Sequence, residues 1–579
     1  MEMSSLAKVV KGGKGLVKAV LTNEIIAKEG SIEKIGIGDL VLIDGRFKSY
    51  LGMVIDTSYE TRDELISGLS FFEGSEGREH LSRIVKFFGD SLFHTSLDIL
   101  LLGEKLKDEG EIRVASSLPS HFSEVKQLTK EEVREFFGSE DCITKWGIGT
   151  PETCEVYPRE TLGEIPVDVK ALYNLSFGIF GKTGTGKTFL GNLLASYITA
   201  HNELRRRSER PVVLLIFDMH SEYGVFLKDA RGERLYEGVG QKLKDYFEIY
   251  TPDHQMAEEV NKEVKNKLKE LTIPITGIEV EKELVFMKDM LGLTDTFINY
   301  LPKIERIFKS VSKSLYGQDG MWKRCFWEYV DEKDDVLREI ERKVNDPSLM
   351  RSLVPNMRKL KWVLAQDFVT WNEGTIDEVI ELLLGEDPRS VIISMGKYSG
   401  NSVAYMLIAN YVARKLKEKI DKTVQRGEEL RSRIIIFLEE AHNFLGPKVF
   451  LSSPFGVIAR EYRKRGINLA VIDQRPSELD ENVISMLWSK FIFALTSKKD
   501  IETALLGVAF QAKMEEVVPK LPERRALITG LVVKFPVVVE IADYGGKISQ
   551  ISEMLRRRRS RLHKVRLYGE GEGTKYKFS

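Results

Sequence analysis

Residues Gly178–Leu194 read GIFGKTGTGKTFLGNLL. They continue an apolar strand-like run, LSFGIF, that begins at Leu175. A glycine-rich loop follows, and then apolar residues return at helical spacing. Gly181 to Thr188 match GxxxxGK[ST] in full, in the strand–loop–helix setting that gives this motif its meaning. Glycines let the backbone curl until successive N–H groups point inward at phosphate oxygens. The helix behind them adds the positive end of its dipole. The nucleotide-binding stretch is therefore Gly181, Lys182, Thr183, Gly184, Thr185, Gly186, Lys187, Thr188 and Phe189. Lys187 is expected to reach the β- and γ-phosphates and Thr188 to hold Mg²⁺ through its hydroxyl, so the expected cofactors are ATP and Mg²⁺.

Outward from this loop the same texture repeats. PVVLLIFD (211–218), SVIISM (390–395), RIIIFLEEAH (433–442), INLAVID (467–473), KFIFALT (490–496) and RALITG (525–530) are near-continuous apolar runs separated by helical stretches. Such runs indicate a parallel sheet covered on both faces, hence an α/β core. Ligands gather at the carboxyl ends of such strands. Glu439 and Glu440 stand at one of those ends, where two adjacent acids are costly unless a cation or solvent meets them. Glu439 is expected to help hold Mg²⁺ through water, and Glu440 to orient the attacking water as a base. Gln474, just past Asp473, is expected to sense the γ-phosphate. Asp218 ends a further strand, with His220 and Glu222 behind it. That group reads either as a metal site that includes Asp218 or as a structural or DNA-facing loop.

The chain has 579 residues, 42% apolar and 30% charged, with a net charge of −1. Its length calls for several domains. The charge balance excludes a bulk polycation, so nucleic-acid binding has to come from local patches. Three cysteines, Cys142, Cys154 and Cys325, have no metal-site spacing and suit a reducing compartment. No signal peptide and no membrane-length apolar run is read, so a cytoplasmic protein without a membrane partner is expected. Residues 1–145 alternate short apolar runs with turn signals such as Asp44-Gly45, and read as a β-rich, barrel-like domain. Within it, Thr129 and Glu132 form a capping box for a helix. The core is expected over 146–240 and 389–545, interrupted by a helical insertion over 241–388, with a mobile basic tail over 546–579.

Five stretches in order carry a family resemblance: GKTGTGKT, IFDMHSEYG, FLEEAHNFL, IAREYRKRGINLAVIDQRPSELDENVISM and ITGLVVKFPVVVEI. Between Phe177 and Ile541 the chain resembles the HerA family of the HerA/FtsK ring ATPases. The resemblance implies a RecA-like P-loop core, and it makes the N-terminal module similar in placement and length to the family's HAS barrel. It implies a homo-hexamer that drives double-stranded DNA through a central channel. It further implies a NurA-like nuclease partner in DNA end resection and recombinational repair. The alternatives are an effector of antiviral defence, or another cargo as in conjugation-type ring ATPases. By position, Lys187, Thr188, Glu439, Glu440 and Gln474 match the family's nucleotide-handling residues, with Asp218 at its second acidic motif. Arg460 or Arg463, on one helical face, is the arginine a ring would lend to its neighbour's site. The N-terminal module is either a ring-stabilising domain or a platform for the nuclease. The basic run Arg556–Arg566 either contacts DNA phosphates, docks on a neighbour, or is simply solvated.

Overall fold

The computed structural model describes residues 5–21, 34–61, 93–108, 110–153, 162–205, 210–228, 231–344 and 346–567. Cys154 and the end of the chain from residue 568 lie outside the described residues, as do the side chains from 561 onward.

The N-terminal strands close into a six-stranded antiparallel barrel. Ala7–Gly13 pairs with Leu16–Leu21, which pairs with Phe93–Leu106. From there the ring runs through Lys48–Thr61, Leu40–Asp44 and Glu124–Gln127 back to Ala7–Gly13. Period-two alternation explains how a barrel strand can be apolar throughout. Leu97, Ile99 and Leu101 fill the barrel, whereas Leu100 and Leu102 face outward into the core of the rest of the chain. The Asp44-Gly45 turn forms, with the Gly45 N–H donating to Lys48 O at 3.0 Å. The capping box also forms, with the Glu132 N–H reaching Thr129 Oγ1 at 3.2 Å. The helix it starts, Lys130–Phe137, sets Phe136 and Phe137 edge-on against Phe535, at 6.3 and 6.1 Å between ring centres. A Cβ on Gly103 would lie 2.7 Å from the same Phe535 ring, so barrel and core interlock there.

The core is one eleven-stranded sheet. Eight strands are parallel, in the order Leu268–Glu270, Phe247–Thr251, Ser390–Ser394, Val212–Asp218, Arg433–Glu439, Ile467–Asp473, Phe177–Phe180 and Ser489–Ile492. Arg525–Gly530, Val537–Ile541 and Gly149–Pro151 extend it antiparallel. Val212–Asp218 is buried at every position, and Arg433–Glu439 at every position after the first, as the apolar runs require.

Two expected boundaries move. The helical segment expected over 241–388 contains Phe247–Thr251 and Leu268–Glu270, which belong to the main sheet. The helices Asp295–Tyr316, Trp322–Val330, Asp334–Lys343 and Pro347–Leu364 form the inserted bundle. The tail expected from 546 begins inside a helix, Tyr544–Leu567. That helix buries Ile548, Ile551 and Leu555 and packs against the helix Lys187–Arg205. Among the described residues, no helix is long and apolar enough to cross a membrane.

Candidate nucleotide site

Strand order decides which side chains meet. The strand that feeds the phosphate loop, Phe177–Phe180, lies beside Ile467–Asp473, and Arg433–Glu439 lies one strand further on. Within the loop, Gly184 and Gly186 take φ of 80° and 110°, a region costly for any residue with a Cβ. Lys187 Nζ donates to the carbonyls of Gly181 and Lys182 at 2.7 and 2.8 Å. Burial pulls the Lys187 pKa down, and the nearby charges of Glu440, Glu439 and Asp473 push against that.

Gln474 leaves the strand between the loop and the acids, so its side chain touches both. Thr183 Oγ1 donates to Gln474 Oε1 at 2.5 Å, and Gln474 Nε2 donates to Glu440 Oε1 at 2.5 Å. Glu440 holds φ of 46°, a left-handed backbone that costs a non-glycine residue about 1–3 kcal/mol and clusters at functional sites. Its other oxygen lies 3.6 Å from His442 Nδ1, which is 3.1 Å from Asp473 Oδ2. The His442 N–H also donates to Asp473 Oδ2 at 2.7 Å. Burial works to lower the His442 pKa, but the hydrogen bond and charge of Asp473, with the charge of Glu440, carry it upward. Glu440 is thus a carboxylate steered by an amide on one side and an imidazole on the other.

Thr188 lies close enough to the Glu222 carboxylate to favour its charged form. Burial and the charge of Asp218 push the Glu222 carboxyl up to about 7. Glu439 is buried and accepts the Met219 N–H at 2.9 Å; burial, then the charge of Asp218, raises its pKa well above the carboxylate range. The charges of Glu222 and Glu439 feel each other, and with Thr188 these residues offer the hard oxygen donors that Mg²⁺ takes. Buried carboxylates held this close favour either protons or a cation.

Asp218, expected as a metal ligand, is turned elsewhere. Its oxygens accept the N–H groups of Glu222 and Gly224 and the hydroxyl of Ser394, each at 2.8 Å, so it staples its own loop. Arg460 is likewise committed. Its guanidinium donates to the carbonyls of Phe450 and Leu451 at 3.0 and 3.1 Å and lies over the Phe450 ring. Arg463 is exposed, with its guanidinium over Trp488 at 5.8 Å. Sequence reading gives Asp473 and His442 no role and places Glu222 only in the group behind Asp218. Their signals are short: an acid four residues past a strand end, a single acid directly before Gln474, and a single histidine two residues past Glu440.

Residues 155–416 match the family model described as Helicase HerA, central domain. The chain is similar to a probable helicase of Methanocaldococcus jannaschii, 22% identical over 557 residues, covering 94% of this chain and 98% of that protein. It is similar to the DNA double-strand break repair helicase HerA of Sulfurisphaera tokodaii, 27% identical over 389 residues, covering 67% and 68%. The protein of the same description from Sulfolobus acidocaldarius is 30% identical over 146 residues, covering 25% and 30%. Among solved structures, VirB4 of Thermoanaerobacter pseudethanolicus aligns over 69% of this chain and 98% of that chain, at a TM-score of 0.43 and 16% identity.

Proposed function

Because the chain is a HerA-family ATPase, an enzyme that hydrolyses ATP, we propose that it works as a homo-hexameric motor that moves double-stranded DNA in step with that hydrolysis. The observation that carries this reading is the bridge Thr183–Gln474–Glu440, which ties the phosphate loop to the acidic strand through one amide. A terminal phosphate arriving at Thr183 must compete for that bridge. Its arrival and departure therefore move the residues that follow Gln474.

The chain's own groups divide the work. Loop N–H groups and Lys187 bind the β- and γ-phosphates. Glu440 takes the proton of the attacking water, held in line by Gln474 and His442. Thr188, Glu439 and Glu222 would hold Mg²⁺, which neutralises phosphate charge when bound. Arg463, rather than Arg460, is the guanidinium offered to a neighbouring subunit, since Arg460 is spent on its own loop. The barrel is a separate domain, suited to docking a NurA-like nuclease or another effector, and the helices between Asp295 and Leu364 are an insertion into the core. The relatives described as double-strand break repair helicases favour DNA as the cargo and end processing as the setting.

Steady-state ATP turnover of the full chain, with and without linear duplex DNA, tests the motor. Several-fold stimulation is expected, with no turnover in Lys187→Ala. Arg463→Ala alone should lose on the order of a thousandfold. Mixing it with Lys187→Ala should restore part of the rate, because a Lys187→Ala subunit lends Arg463 to an intact phosphate loop next door. Turnover indifferent to DNA would remove the motor. A mixture no faster than its parts would remove the shared site.

A further inference from the structure

The phosphate cradle has two ends. Thr183, Gln474 and Glu440 mark the end where a terminal phosphate meets a base, on the reading above. The nucleoside must leave from the opposite end, along Thr185–Phe189. Four chain segments converge there. The Arg524 N–H donates to Thr185 O at 3.3 Å, and its carbonyl accepts the Ile541 N–H at 2.9 Å. Its Cα lies 4.0 Å from where a Cβ on Gly186 would sit. Phe189 meets Tyr236 edge-on at 6.3 Å, and Tyr236 meets Tyr544 edge-on at 6.0 Å. Tyr236 Oη donates to Asp543 Oδ1 at 3.0 Å, and a Cβ on Gly545 would fall 2.3 Å from the Tyr236 ring.

Arg524 is the unusual member. It holds φ of 63°, so its backbone is strained in the way that functional residues often are. Its side chain is exposed, and among the described residues it makes no ion pair. The nearby carboxylate of Asp543 is already taken by Tyr236 and by the Gly546 N–H at 2.8 Å. The Arg524 charge is nonetheless close enough to Tyr236 to oppose the rise that Asp543 causes in the phenol's pKa. A free guanidinium therefore stands beside half-buried aromatic rings, at the end of the cradle where a base must lie.

We propose that Arg524, Tyr236 and Phe189 form the nucleoside subsite, in which the guanidinium plane of Arg524 lies on the purine and the ribose edge while the Tyr236 and Phe189 rings wall the opposite side. A planar cation stacks on an aromatic face and donates in its own plane, which an ammonium cannot do. The base is then gripped by the helix Lys187–Arg205, by the strand Arg234–Glu237, and by the junction that starts the helix Tyr544–Leu567. This inference rests on the phosphate-loop assignment and not on DNA as the cargo.

The test is equilibrium binding to the full chain without DNA, by displacement of a fluorescent ATP analogue, using ATP and inorganic tripolyphosphate as competitors. Arg524→Ala and Tyr236→Ala should each weaken ATP about tenfold or more and leave tripolyphosphate within about twofold. Arg524→Lys should resemble Arg524→Ala. Retained tripolyphosphate binding shows that the loop is folded. Equal losses for ATP and tripolyphosphate, full affinity of Arg524→Ala for ATP, or rescue by lysine would each overturn the subsite. Wild-type turnover that ignores DNA would leave this result untouched, so the two readings fail separately.

Discussion

Asp218 and Glu440 arise from the same sequence device, an apolar run that meets acid at the carboxyl edge of the sheet, and they do opposite things. Asp218 collects three hydrogen bonds from its own loop and from Ser394, and is wholly buried. Glu440 receives one hydrogen bond from an amide that also touches the phosphate loop, and it sits on a strained backbone. A carboxylate with its acceptor sites filled fixes a loop. One held by a single movable donor is available for chemistry. The count of donors, rather than the presence of acid, separates structure from function at this edge.

The sharpest way to break that contrast is to neutralise each acid. Glu440→Gln keeps the size and can still accept from Gln474, so nucleotide affinity should hold while turnover falls by about 10²–10⁴-fold, the usual worth of a positioned base. Single-turnover hydrolysis beside a nucleotide-binding titration reads both. A variant that keeps more than about a tenth of the rate would assign the base to another group.

Asp218→Ala should show the other half of the contrast. It strands two N–H groups and a hydroxyl in a buried loop, at a cost of roughly 2–4 kcal/mol. The melting temperature should drop clearly, and nucleotide binding at low temperature should survive. Loss of Mg²⁺-dependent binding without loss of stability would return Asp218 to the metal.

What the sequence reveals follows from how local each signal is. The phosphate loop and the parallel strands are legible because glycine spacing and apolar runs are short-range patterns with one physical solution. The staple on Asp218 is half legible: Glu222 and Gly224 are near in sequence, but Ser394 arrives from a strand 176 residues away. Phe247–Thr251, FEIYT, has strand-favouring residues, but it is only five residues long and its sheet neighbour starts at Ser390, so the sequence leaves it inside a helical insertion. The helix from Tyr544 read as a tail because the arginines at 556–559 outweigh Ile548, Ile551 and Leu555, which share one buried face. Arg524 carries no motif at all. Its place is fixed by the Thr185 and Ile541 backbones, which only the folded sheet brings to it.

The smallest expected effect concerns Glu222, which stands between the two acids in character. Thr188 beside it favours its charge, yet it is held up to about 7 by burial and by the charge of Asp218. Its ordinary value is 4.5, so between 4.5 and about 7 the folded protein keeps a proton that the unfolded chain has released. Stability therefore falls as pH rises through that window and levels off above it. The full shift would correspond to about 3 kcal/mol, and partial exposure of the group reduces this to about 1–2 kcal/mol. Glu222→Gln should flatten the slope, making the variant the more stable protein at pH 8 and giving little difference near pH 4.5. Thermal melts across that range, in chelator and then in Mg²⁺, separate the causes. If Glu222 belongs to the metal side, Mg²⁺ lowers its pKa and flattens the wild-type slope as the substitution does. If it is a second staple like Asp218, Mg²⁺ leaves the slope alone and the substitution destabilises the fold at every pH.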